Sequence, residues 1–208
     1  MAKQIREVFG IEPKNLEDFV LASQICQAEA KKFFVEMVRL KKWRMTGLIW
    51  WNVMDCWPQF SDAIVDYSFR RKLAYLYLKR VQRPACIMIG EPENWVCRVV
   101  LGNDSREAVQ GRFAIRDADT DAILLEGAAE AGPNENRPLG SVPASRGHQK
   151  LFLIEWELNG ERGFNHYLLG TPPFELGRYR AWLAKLAPGD AAAFVHHGLR
   201  ASDEGVRC

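Results

Sequence analysis

The 208-residue sequence has no cysteines at C-x-x-C spacing, only four histidines and a net charge of just +2. Each shortage excludes a class of function. Without paired cysteines there is no zinc ribbon and no dithiol redox motif. The five cysteines (Cys26, Cys56, Cys86, Cys97, Cys208) are odd in number and scattered. Three of them lie inside apolar segments, where a free thiol behaves as a small core residue. The near-zero charge argues for neither a nucleic-acid binder nor an acidic protein. No apolar run approaches the ~20 residues of a membrane span, and the opening MAKQIREVFG has no signal-peptide apolar stretch. The expectation is a chain of a reducing, cytoplasmic compartment, with no membrane and no nucleic-acid partner. The sequon Asn103-Asp104-Ser105 would matter only in a secreted protein. G-x-G-x-x-G, P-loop, H-E-x-x-H and G-x-S-x-G patterns are all missing, and no cofactor is expected.

What is present is aromatic weight, with seven tryptophans and eleven phenylalanines. The first eighty residues read as helical with one strand among them. Asn15 precedes Glu17 and Asp18, an N-cap with acids in the first turn. Phe19, Ala22, Cys26, Ala30, Phe33, Met37 and Leu40 then recur at helical spacing, and Leu21, Ile25, Ala28 and Val35 form a second row. Thr46-Gly47-Leu48-Ile49-Trp50-Trp51 is a continuous apolar run of the kind found in strands buried on both faces. Residues 52–68 read as a loop and about Phe69 to Gln82 as a helix.

Beyond Pro84 the period changes to two. Trp95, Cys97, Val99 and Leu101 alternate with other residues, as do Val109 to Arg116 and Phe152 to Leu158. Asn159-Gly160 predicts a hairpin turn into a strand over Phe164 to Leu169. The Gly, Pro and Asn content of Gly127 to Gly147 predicts a long surface loop, and Phe174 to Leu186 a final helix. The domain reading is 1–83, 84–187 and a tail over 188–208.

Several motifs with a sharp reading have a plainer one. Asp117, Asp119 and Asp121 resemble the start of a calcium loop. Ala122 and Ala128 replace its glycine and glutamate, so a hairpin turn fits better. Arg70, Arg71, Lys72, Lys79, Arg80 and Arg83 read as a solvated helix rim, and Asp62 and Asp66 as loop-bracing groups. His196-His197 falls in the tail without a partner at metal-site spacing, and His148 and His166 are single histidines.

The segment from Thr46 to Pro58, Thr-Gly-Leu-Ile-Trp-Trp-Asn-Val-Met-Asp-Cys-Trp-Pro, resembles the last barrel strand of β-mannosidases and their glycoside hydrolase family 2 relatives. Asp62-Ala-Ile-Val-Asp66-Tyr67 and Arg71-Lys72-Leu73-Ala74-Tyr75 continue the likeness. Upstream, Ser23-Gln24 and Gln27-Ala28-Glu29-Ala30 look like the family's glutamine-bearing helix. Downstream, Asn165-His166-Tyr167 and Pro172-Pro173-Phe174 to Trp182 look like its closing strand and terminal helix.

The resemblance implies an α+β chain in two parts. Residues 1–83 would be a helix-rich remnant of a TIM (β/α)8 barrel, and an antiparallel immunoglobulin-like β-sandwich would follow. It also implies a retaining exo-β-glycosidase of β-mannosidase or β-galactosidase type, working through two glutamates about 5 Å apart. No glutamate here matches those motifs. Glu29 and Glu36 lie within a helix, so no catalytic residue is assigned and the chain alone is expected to be inactive.

By position, Trp51 matches the tryptophan lining the terminal-sugar subsite. Asn52, Asp55 and Trp57 are the other candidate substrate-binding residues. Trp57 also reads as packing beneath the loop, and Asp55 as a loop brace. Met54 stands where many members carry asparagine, and Asn52 replaces a common glutamine. The implied partners are a carbohydrate substrate and the remainder of the barrel, with self-association as another way to cover the exposed faces. A rival reading is a non-catalytic carbohydrate-binding or interaction module.

Overall fold

The structure, a computed structural model, describes residues 1–145 and 147–186. Among these residues the fold is α+β, with four helices and two antiparallel sheets. The chain divides into two compact units. Of the described residues, one gathers Met1–Glu29, Trp51–Leu76 and 172–186; the other gathers Ala30–Trp50 and Tyr77–Thr171.

The second unit is a β-sandwich. Strands β1 (Ala85–Glu93), β2 (Val96–Asn103) and β5 (Asn136–Pro143) form one sheet in the order β1-β2-β5. Strands β3 (Val109–Asp117), β4 (Ile123–Ala131), β6 (Lys150–Leu158) and β7 (Glu161–Leu169) form the other, in the order β4-β3-β6-β7. Ile87, Ile89, Val99, Leu101 and Val142 from the first sheet close on Phe113, Ile115, Ile154, Trp156 and Leu169 from the second. Alternation in β3 follows from one face being buried and the other wet.

The loop expected over Gly127 to Gly147 is instead the end of β4 and all of β5. Its glycines and prolines misled because both strands lie at sheet edges, where missing donors and absent side chains are tolerated. Asn159 (φ 48°) and Gly160 (φ 80°) make the anticipated β6–β7 turn. Gly163 faces Trp156 across that hairpin, and the indole lies where a Cβ would otherwise stand.

Ala30–Leu40, the second part of helix α2 (Leu16–Leu40), belongs to this unit. It carries a buried ion pair, Lys32 Nζ to Glu36 Oε2 at 2.7 Å, and Asn165 Nδ2 of β7 donates to Glu36 Oε1 at 2.6 Å and to Ile87 O at 2.9 Å. At the helix C-terminus Arg39 and Lys42 meet Asp104 at 2.8 and 2.5 Å. The buried row of α2 is Leu21, Ile25, Ala28, Lys32 and Val35, with Phe33 and Phe34 exposed. The second row read from the sequence is thus the buried one, with Lys32 inside it, whereas Phe33 of the first row is exposed.

Asn103 is buried, its Nδ2 donating to Glu107 O and Gly132 O. The sequon is therefore a turn brace. Burial pushes the Cys86 thiol up to about 12 and the Cys97 thiol to about 11, as expected of core cysteines.

In the first unit, helix α1 (Ala2–Phe9) ends on Gly10 in the left-handed region. Phe174 N donates to Val8 O, and Phe9 packs edge-on against Tyr179 of helix α4 (Leu176–Leu186), with ring centroids 6.4 Å apart. Tyr179 Oη donates to Glu29, and Arg180 meets Asp18 at 2.6 Å. Asn15 Oδ1 accepts Asp18 N at 2.8 Å, the expected N-cap.

Helix α3 (Leu73–Val81) begins later than the sequence suggested. Asp66 Oδ1 accepts Ser68 N and Arg70 N, and Phe69 adopts φ 62°, so a turn occupies what looked like the first helical turn.

One expectation fails outright. The run Thr46–Trp51 forms no strand, and Ile49 is fully exposed. A doubly buried parallel strand needs a hydrogen-bonding neighbour on each edge, and the described residues supply none to this run. Residues 187–208, with His196-His197, lie outside the described residues.

Candidate functional site

The segment Trp51–Lys72 is a long loop cross-linked by its own backbone. Asp55 N donates to Val65 O, Ile64 N and Val65 N to Val53 O, and Lys72 N to Ile64 O. Two helices hold it. Gln27 Nε2 of α2 donates to Asp62 O at 2.7 Å, and Gln24 Oε1 accepts Leu73 N at 2.9 Å, capping α3 from a neighbouring helix. The sequence places both glutamines on α2. That they clamp this loop becomes visible only in three dimensions.

Asp55 lies at the centre of the loop with its side chain fully buried. Oδ1 accepts Ser61 Oγ and Gln59 Nε2, and Oδ2 accepts Lys72 Nζ at 3.3 Å. Burial alone would raise this carboxyl. The hydrogen bonds from Ser61, Lys72 and Gln59, with the lysine charge, hold it below the usual carboxylate range. Asp55 therefore faces inward as a brace. Ser61 and Lys72, both missed as partners, complete the polar knot.

The tryptophans face outward: Trp51 is 79% exposed and Trp57 60% exposed. Trp57 does not pack beneath the loop. Asn52 is half-buried, and Nδ2 reaches Met54 O at 3.4 Å. Val53, Met54, Phe60, Tyr67 and Phe69 are exposed on the same loop. The structure thus turns Trp51 and Trp57 outward on the cross-linked loop and draws Asp55 in. An exposed indole offers a flat apolar face to the C–H face of a pyranose, and its N–H can hold a hydroxyl. Trp50, the other half of the pair, is half-buried with the Lys31 ammonium 4.8 Å from its ring.

The solvated rim expected of the basic residues holds only in part. Arg70 pairs with Asp66 at 2.8 Å, Arg71 lies over Tyr75 and Arg83 donates to Arg162 O, but Lys72 is drawn onto Asp55 and Arg80 is half-buried over Tyr77 and Phe164. Asp117 accepts Asp119 N, Thr120 N and Lys150 Nζ, so its oxygens serve a hairpin turn. Glu29 and Glu36 are committed to Tyr179 and Lys32. His166 is fully buried, its ring 4.6 Å from Tyr77. Among the described residues no group of three or more His, Cys, Asp or Glu side chains is placed to hold a metal ion.

The lowered Asp55 carboxyl has a pH signature. Its stabilisation is complete above about pH 4, the unfolded value, and is lost as pH falls through the lower folded-state value. Asp55→Asn should therefore destabilise the chain most at neutral pH, with the gap closing in acid. Urea midpoints of both proteins, from neutral to strongly acidic pH, provide the measurement. A gap that is constant with pH would mean that Asp55 is not held ionised.

The chain is 37% identical to β-mannosidase B of Thermothelomyces thermophilus over 132 residues, 58% of this chain and 15% of that protein. To β-mannosidase B of Aspergillus niger it is 35% identical over 86 residues, 39% of this chain and 10% of that protein. The chain thus spans only a small part of the length of these curated relatives. No protein-family model matches it.

Among solved structures, a β-mannosidase from Dictyoglomus thermophilum superposes with a TM-score of 0.71 at 26% identity, over 84% of this chain and 22% of that one. An exo-chitosanase from Amycolatopsis orientalis shares the fold at a TM-score of 0.67 and 18% identity, over 89% of this chain and 25% of that one. In sequence and fold the chain is similar to the C-terminal region of β-mannosidases and their glycoside hydrolase family 2-type relatives.

Proposed function

We propose that this chain is the C-terminal part of a retaining exo-β-glycosidase that removes terminal β-linked sugars, of β-mannosidase or β-galactosidase type. Residues 1–83 are its share of the catalytic barrel, and the sandwich braces that barrel. Trp51, Asn52, Asp55 and Trp57 serve one wall of the sugar pocket: the indoles by contact, and Asp55 by holding the loop from behind. The nucleophile and the general acid come from the remainder of the enzyme. Thr46–Trp51 pairs as a strand only beside the neighbouring barrel strands.

The observation that carries this reading is the likeness to β-mannosidase B and to the Dictyoglomus thermophilum β-mannosidase. It is supported by a loop that spends its one buried carboxylate on fixing its own shape while leaving Trp51 in water. A self-contained domain gains nothing from exposed apolar side chains such as Ile49 and Trp51.

Two measurements test the proposal. The isolated chain should not turn over a panel of aryl β-glycosides, since each half of the carboxylate pair does work that the other cannot. In the intact enzyme, Trp51→Ala should lower kcat/KM about tenfold or more, equivalent to ~1.4 kcal/mol of transition-state binding, with little change in thermal midpoint. Unchanged kinetics with a collapsed midpoint would instead make Trp51 a packing residue.

A further inference from the structure

Residues 56–60 are all exposed, Phe60 by 85%, while Asp55 before them is buried and Ser61 after them half-buried. The segment Asp55–Ser61 is therefore a small loop with a wet rim, which carries Trp57, and a polar neck. Such a rim has no apolar core of its own, and holding it in one shape costs conformational entropy that other contacts must offset.

The neck is closed twice. Ser61 Oγ donates to Asp55 Oδ1 and itself accepts Ala63 N at 3.0 Å. Lys72 Nζ donates to Asp55 Oδ2 at 3.3 Å and to Ser61 O at 3.4 Å, so a single ammonium touches both ends of the loop. Both contacts are long, but the carboxylate has no exposure and the lysine side chain only 17%, so their attraction is weakly screened. From the rim, Gln59 Nε2 reaches back to Asp55 Oδ1 at 3.1 Å.

Lys72 is itself anchored. Its N–H donates to Ile64 O at 2.9 Å, and the next residue, Leu73, opens α3 with its N–H capped by Gln24. Gln27 Nε2 takes the carbonyls that follow Ser61, reaching Asp62 O at 2.7 Å and Ala63 O at 3.3 Å. The successive carbonyls of Ser61, Asp62 and Ala63 are thus all held by side chains from outside the loop. The arrangement fixes where the rim stands without covering it.

We infer that Lys72 and Ser61 are positioning residues for Trp57: by closing the neck they set where its indole meets the sugar. The sugar role rests on the glycosidase reading above. An indole that stacks on a pyranose contributes most when it is already in place, because ordering it on binding would subtract from the contact.

Dynamics and kinetics test this separately. In the 208-residue chain labelled with 15N, the 15N–1H nuclear Overhauser effect of the Trp57 indole should fall in Lys72→Met and in Ser61→Ala. That of the buried Trp182 should stay as it is. In the intact enzyme, the substrate is an aryl β-mannoside or β-galactoside, whichever it turns over. Lys72→Met should lower kcat/KM about tenfold when Trp57 is present and less than about twofold in a Trp57→Ala background, since a residue acting through the indole then has nothing to act on. Ser61→Ala opens the neck without stranding a charge, so it carries the same comparison where Lys72→Met does not fold. An unchanged Trp57 Overhauser effect overturns the inference, as do equal losses in the two backgrounds, which would mark a role in stability alone. A wild-type enzyme that turns over neither glycoside refutes the glycosidase reading and the sugar role of the neck with it. Turnover with equal losses refutes the neck alone.

Discussion

Glu36→Ala should lower the stability of the sandwich unit by about 3–5 kcal/mol, the cost of stranding one member of a buried ion pair. Lys32 and Glu36 side chains are 3% and 1% exposed, so the lysine ammonium would be left dry with its carboxylate removed. Asn165 would lose its shortest bond at the same time, keeping only Ile87 O and the Cys86 sulfur among the contacts resolved for its amide nitrogen. The pair is one turn apart on α2, and Asn165 comes from β7, so the network ties helix to sheet within the unit.

The informative comparison is the double variant Lys32→Met with Glu36→Leu. Removing both charges and filling the space with apolar atoms should recover much of the loss, because desolvation of the ions is removed together with their attraction. Urea denaturation followed by near-ultraviolet circular dichroism reads both. If the double variant is as unstable as the single one, the damage comes from lost shape and not from an unpaired charge.

Gly111→Ala should cost about 3 kcal/mol, at the upper end for an overpacked site. A Cβ there would overlap the carbonyl oxygen of Glu157 and stand 2.9 Å from its carbonyl carbon and 3.0 Å from Leu158 Cα, all of it β6 backbone. No rotamer change relieves a clash with main chain. Strand β3 would have to part from β6, and it is a central strand of its sheet. Gly127→Ala is the control: its Cβ would meet only the Phe113 ring at 3.8 Å, ordinary contact, so its stability should change by less than about 0.5 kcal/mol. Equal midpoints for the two variants would show that β6 yields freely at Glu157.

Most of the elements were legible because period carries burial. The alternation over Val109–Arg116 and Phe152–Leu158 marks strands with one dry face, and Asn159-Gly160 marks the turn whose φ values the residues themselves prefer. Strand β1 was not read at all, since Cys86–Ile89 are all buried and show no alternation. The β1–β2 turn escaped for the opposite reason: Asn94-Trp95 has the geometry of an Asn-Gly turn without the glycine that announces one.

The candidate site divides along the same line. Residue order alone placed Asn52, Asp55 and Trp57 on one loop, with Trp51 at the end of the apolar run before it, and carried the family likeness, because a motif is a property of adjacent residues. The direction each side chain takes was decided by tertiary structure. Ser61, Gln59 and Lys72 draw Asp55 inward, Gln24 and Gln27 clamp the loop from a helix more than thirty residues away, and Trp51 is left outside.

Strand formation at Thr46–Trp51 was likewise beyond local sequence. An apolar run states a preference for burial, but a strand exists only where neighbouring backbones complete its hydrogen bonds. Composition and pattern determined an α+β chain with a sandwich and an aromatic loop. Which residues face water, and which are spent holding the loop in shape, depended on partners distant in sequence that only the folded chain brings within reach.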